Sequence, residues 1–135
     1  MPSTIIKLQD TSFTDLDLTF QINPFNGDIV KLINADAIKG SIINLVSTMN
    51  YERPFHPELG SPVYGLLFEL ASPITAQIIR TAIINLITTF EPRADLTAVT
   101  VTAGDDQNSY AVEVDFQLAN FTETFTVNLL LERLR

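Results

Sequence analysis

No cysteine occurs in this chain of 135 residues. Disulfides, thiol catalysis and thiolate zinc sites are therefore excluded, and the composition suits a reducing compartment. Tryptophan is absent and histidine occurs once, as His56. A serine–histidine triad would have to use that residue, and any metal site would be built from carboxylates. The phosphate loops Gly-x-x-x-x-Gly-Lys and Gly-x-Gly-x-x-Gly are missing, as is the Gly-x-Ser-x-Gly nucleophile elbow. No cofactor is expected. No uninterrupted apolar stretch is long enough to span a bilayer. The start, Met-Pro-Ser-Thr, lacks the charged region and apolar block of a signal peptide, so the protein is expected to be intracellular when made.

Basic residues are scarce as well. Eight Lys and Arg face 16 Asp and Glu, a formal charge of −8. That balance disfavours nucleic acid and anionic membrane as partners, because both attract basic surfaces. The shortage is sharpest from Ala94 to Glu132, where no Lys or Arg stands among Asp95, Asp105, Asp106, Glu113, Asp115, Glu123 and Glu132. Arg133 and Arg135 then close the chain. The stretch reads either as a solvated acidic face or as a surface shaped for a basic partner.

The length fits one domain, able to bury about two thirds of its unfolded surface. Residues 1–12 read as a loose N-terminal segment, 13–33 as a strand and turn, 34–93 as a helical part and 94–135 as a β-meander. Leu16, Leu18, Phe20 and Ile22 alternate with Asp15, Asp17, Thr19 and Gln21, the pattern of a half-buried strand. Asn23-Pro24-Phe25-Asn26-Gly27-Asp28 is a turn. Asn34 or Asp36 would cap a helix over Ala35–Met49, whose core stripe is Ile38, Ile42, Leu45, Val46 and Met49. A short helix follows over about Val63–Leu70.

Ser72-Pro73 starts the longest helix, because serine can cap free N–H groups and proline suits the first turn. Its apolar arc is Ile78, Ile79, Ala82, Ile83, Leu86, Ile87 and Phe90. Ile84 falls on the polar face, where it reads as an isolated exposed residue or as a contact point in an assembly. Pro92 ends the helix, since the residue before proline avoids helical geometry. Three strands follow, over about 95–103, 110–118 and 124–131. The middle one turns Tyr110, Val112, Val114, Phe116 and Leu118 inward. The last keeps Thr124, Thr126 and Asn128 outward. The fold class is α+β: a small antiparallel sheet, the C-terminal three-stranded meander plus the N-terminal strand, covered by two to three helices.

Two segments carry charge in a stiff frame. In Glu91-Pro92-Arg93 a carboxylate and a guanidinium flank a ring-locked residue, making a corner that is either an internal brace or a docking point. An acid in a helix's last turn opposes the macrodipole, so Glu91 needs a partner, inside the chain or in a neighbour. In Arg53-Pro54-Phe55-His56-Pro57-Glu58-Leu59-Gly60 the prolines fix the path. That segment reads as a rigid connector anchored in the core by Phe55, with Arg53 or Glu58 free to brace the corner. His56 reads as a loop histidine packed beside proline rather than a base or pH sensor. Paired carboxylates are the one enzymatic option, with Glu52, Glu58, Glu69 and Glu91 as candidates. Nothing pins two of them across a cleft, as glycoside hydrolysis requires. A small-ligand binding module would instead show a deep apolar pocket with convergent polar groups.

Taken in order, the Asn-Pro-x-x-Gly-Asp turn, Arg53-Pro54-Phe55 with Pro57 and Gly60, Leu67-Phe68-Glu69, the Pro-started helix, Glu91-Pro92-Arg93 and Leu131-x-Arg133 carry a resemblance. From about Leu16 to Arg135 the chain resembles the small baseplate wedge proteins, or sheath initiators, of contractile-tailed phages and related injection machines. The resemblance implies a non-enzymatic α+β protein in the virion's tail baseplate, present in several copies in a ring around the tail tube. It implies that Glu91, Pro92 and Arg93 contact the helical core bundle formed by other wedge proteins. It also implies that the sheet accepts the first sheath subunits by strand exchange. Arg53, Pro54, Phe55, Ile84, Thr124, Thr126 and Asn128 complete the expected partner-binding set. The family has carried a lysozyme label, and the alternative it implies is a peptidoglycan-cleaving glycoside hydrolase.

Overall fold

The computed structural model describes residues 12–104, 109–119 and 121–133. The turn expected around Asp105–Asn108, Asn120, Arg135 and all but the last of the N-terminal dozen lie outside the described residues.

The chain opens with a ribbon. β1 (Thr14–Leu16) and β2 (Lys31–Ile33) pair antiparallel, Thr14 opposite Ile33 and Leu16 opposite Lys31. Beyond Leu16 the ladder is irregular. The Asp17 carboxylate accepts from the Thr19 N–H at 2.9 Å and its hydroxyl at 2.7 Å. This local turn competes with strand pairing, and Phe20 takes a positive φ of 53°. Pairing resumes with Val30 N–H to the Gln21 carbonyl (2.9 Å) and an Ile22–Ile29 bridge. The ribbon closes at Gly27, whose φ of 69° suits glycine. The half-buried strand expected over 15–22 is therefore corrected: Leu16, Leu18, Phe20 and Ile22 are all exposed. The ribbon is also a sheet of its own and does not join the meander.

Asn34 stands at the start of α1 (Ala35–Ser47) without capping it through its side chain. Its Oδ1 accepts from the Phe13 N–H (3.1 Å), and its own N–H donates to the Phe13 carbonyl (2.7 Å). The expected cap thus ties the ribbon to the helix. Ile38, Ile42, Leu45 and Val46 of the expected stripe are buried. Met49 lies past the helix end and is exposed.

After the short α2 (Val63–Leu66), α3 spans Pro73–Phe90. It begins as its sequence dictates, with Ser72 Oγ accepting from the Thr75 N–H at 3.1 Å and proline in the first turn. Ile79, Ile83, Leu86 and Ile87 are buried, whereas Ile78 is exposed. β3 (Ala94–Ala103), β4 (Ser109–Leu118) and β5 (Thr124–Glu132) form an antiparallel sheet in that order. Alternation places Tyr110, Val112, Val114, Phe116 and Leu118 of β4 against the helices, all buried. Helices α1 and α3 cover this inner face, and one core joins Ile42, Ile83, Val114 and Val127. Burying a side chain such as Ile83 contributes roughly 2–3 kcal/mol. The outer face is polar: Thr100, Glu113 and Asn128 lie side by side across the three strands.

A braced corner and a closed loop form the candidate site

The end of α3 builds the corner. Pro92 stops the helix, the Glu91 N–H still reaches the Ile87 carbonyl (2.8 Å), and the Ala94 N–H returns to the Glu91 carbonyl (3.2 Å) as β3 begins. This turn faces the two charged side chains toward each other. Arg93 Nε donates to Glu91 Oε1 at 2.6 Å and Nη2 to Oε2 at 2.8 Å, a bidentate pair that fixes orientation. Glu91 is 2% exposed. Burial works against its charge, but hydrogen bonds from Arg93 and from Ser41 of α1, with the attraction of the guanidinium, outweigh it and hold the carboxyl below its usual range. The Glu91 hydrogen bond in turn raises Arg93, with Asp15 adding to the effect. The guanidinium also lies 3.9 Å from the Asp15 carboxylate and 5.6 Å from the centre of the Phe13 ring.

The corner is thus an internal brace joining α1, the α3–β3 junction and β1. Glu91 is spent inside it; Pro92 is exposed and Arg93 is partly so. The brace expected from Arg53 or Glu58 is not made. Glu58 pairs with His56 Nδ1 at 3.2 Å, and Arg53 has no hydrogen bond or ion pair among the described residues. Ser41, Asp15 and Phe13 are the members that sequence reasoning missed. The positions are far from Glu91 along the chain and carry no local signal of the contact.

The Arg53–Gly60 segment lies in a loop closed at its feet, and its expected anchor is reversed. Phe55 is 96% exposed rather than buried. The feet are joined by a parallel Met49–Ser61 bridge and by Ser61 N–H to the Thr48 carbonyl (2.8 Å). Glu52 accepts from the Met49 N–H at 2.9 Å, and the Tyr51 N–H reaches the Pro57 carbonyl at 3.1 Å. Gly60 is required at the crossing: a Cβ there would lie 2.5 Å from the Met49 carbonyl oxygen.

The remaining expected contacts are scattered. Thr124, Thr126 and Asn128 are exposed on β5. Thr126 donates to Asp115 (2.6 Å) and Gln117 to Thr124 (3.0 Å), both on β4. Ile84, expected on the polar face, is partly buried against the core. Among the carboxylates proposed for catalysis, Glu69 is exposed rather than desolvated. Glu91 is held ionised, the reverse of what a general acid needs. Among the described residues no group of acids or histidine is arranged to hold a metal.

Together these features define an α+β module, with helices on one face of a meander and its charged corner closed by its own side chains. The comparisons agree with that class. The description "Baseplate wedge protein gp25" matches residues 34–121. The baseplate wedge protein gp25 of Enterobacteria phage T4 is 30% identical over 106 residues, covering 78% of this chain and 80% of that protein. The chain belongs to the baseplate wedge protein gp25 family. A chain of the anti-feeding prophage baseplate shares the fold with a TM-score of 0.71 at 22% identity, over 84% of this chain and 90% of that one. A chain of the post-contraction pyocin R2 baseplate does so with a TM-score of 0.54 at 23% identity, over 76% and 97%. A Geobacter sulfurreducens chain described as a tail lysozyme has a TM-score of 0.66 at 18% identity, over 73% and 89%.

Proposed function

We propose that this baseplate wedge protein is a non-enzymatic component of a contractile tail, docking on the wedge's helical core bundle and nucleating the sheath by strand exchange. Its expected home is the virion tail, among other wedge proteins, near the tail tube. The observation that carries the proposal is the position of β5. Only one side of this strand is paired among the described residues, and its outward side chains Thr124, Thr126 and Asn128 are polar. An added strand gains main-chain hydrogen bonds with little demand on sequence. The opposite edge is less free, because Arg80 of α3 donates to the Val99 carbonyl of β3 at 2.7 Å.

At the corner, the exposed Pro92 and the outer part of Arg93 are the groups offered to the bundle. Glu91 acts from behind by fixing the guanidinium. Core residues Val127 and Leu131 lie on β5, so removing the strand would unfold the protein and test nothing. Thr126→Lys with Asn128→Lys changes only exposed positions and disfavours an approaching strand. The expected result is a folded chain that enters baseplates but supports no sheath. Sheaths of normal length on such baseplates would overturn the strand-exchange reading.

A further inference from the structure

We propose that the 49–61 loop is a preformed plug whose Phe55 ring, with Tyr51 and Arg53 on the same loop, seats in an apolar socket with an acidic rim on a neighbouring protein subunit. The inference rests on the reading of this chain as part of an assembly, and it names a contact that neither the β5 edge nor the Glu91–Arg93 corner supplies.

Two aromatic residues in the loop have left-handed backbones, Tyr51 at φ 67° and Phe55 at φ 70°. Such conformations are unfavourable for side chains with a Cβ, and persist only where the surroundings enforce them. Here the strain points both rings outward: Tyr51 is 83% and Phe55 96% exposed. The enforcement is visible in the closed feet, the Tyr51–Pro57 hydrogen bond, the two prolines and the Gly60 crossing. A hydrogen bond from the Leu59 N–H to the His56 carbonyl (3.1 Å) tightens the descending side. The result is a rigid projection that loses little freedom on binding, the quality that turns contact into affinity.

The residue types fit an interface anchor, since aromatic rings and arginine dominate the energetic centres of protein contacts. Glu52 is engaged by the Met49 N–H and Glu58 by His56, which leaves Arg53 as the loop's unengaged charge among the described residues. A carboxylate on the socket's rim would complement it. A lipid surface fits less well, because the protein carries −8 and anionic headgroups would repel it.

The test uses purified particles carrying a photo-crosslinking phenylalanine analogue at position 55. The expected product joins this chain to a different protein, at an apolar segment bordered by Asp or Glu. No product, or products only with lipid or with a second copy of this chain, would overturn the plug. Two variants give an independent reading. Phe55→Ala is expected to keep the melting temperature of the isolated chain within about one degree, since the ring is unburied, and to lower particle yield at least about tenfold. Phe55→Gly is expected to raise the melting temperature by relieving the positive φ, and to lose assembly all the same. Wild-type yield from either variant overturns the plug. Wild-type chain missing from particles altogether, as read by mass spectrometry, instead overturns the functional reading beneath it.

Discussion

At the scale of residues, the chemistry centres on one buried ion pair. A buried carboxylate that loses its charge leaves its guanidinium partner with fewer acceptors. Glu91→Gln is therefore expected to cost roughly 1–3 kcal/mol at neutral pH, measured by denaturant unfolding. Its dependence on pH follows from the direction of the shift. The folded carboxyl sits below its unfolded value of 4.5, so the folded state holds the ionised form more tightly. The contribution is complete above about pH 4.5 and drains as pH falls through the lower folded value. The stability gap between wild type and Glu91→Gln should thus narrow between pH 7 and pH 3. Tyr110 gives the opposite case. Its hydroxyl is buried and has no partner among the described residues, so Tyr110→Phe should leave stability unchanged or raise it by up to about 1 kcal/mol. Gly60→Ala meets both a φ of 154° and the Met49 carbonyl. It should cost about 2 kcal/mol or more, visible as a drop in melting temperature.

At the scale of elements, legibility followed the locality of the signal. α3 was readable from both ends because Ser72 and Pro73 start it and Pro92 stops it, each acting on its own backbone. Ser72→Ala should accordingly cost about 1 kcal/mol and speed amide exchange at Thr75. β4 was readable because the five inward residues alternate without interruption and both faces agree with the pairing. The segment over 15–22 has the same alternation and misled, because Asp17 turns on Thr19 and, among the described residues, no layer covers Leu16, Leu18, Phe20 and Ile22. Asn34 carried a cap signal that the Phe13 backbone captured instead. Within the candidate site, the Glu91–Arg93 pair was legible since both ends lie in one tripeptide. Ser41 and Asp15 were not, as only the packed helices and ribbon bring them near.

At the scale of the whole molecule, the Glu91–Arg93 pair adds a tie among the ribbon, α1 and the helix–sheet junction, Arg93 reaching Asp15 and Phe13 while Glu91 takes a hydrogen bond from Ser41. Arg93→Ala should therefore do two things. It should loosen the ribbon, seen as faster amide exchange at Asn34, whose N–H bonds to Phe13, and it should reduce incorporation into baseplates. Normal incorporation together with a loosened ribbon would confine Arg93 to an internal role. The sheet's outer face is polar across Thr100, Glu113 and Asn128, and β5 forms one of its margins among the described residues.

Because the Met49–Ser61 bridge pins both feet of the loop, the stretch between them is a cassette. Its outward side chains, Tyr51, Arg53 and Phe55, can be exchanged without disturbing the helices on either side. A lineage could retune which neighbour it grips by rewriting a handful of residues there, leaving the rest of the scaffold to inheritance.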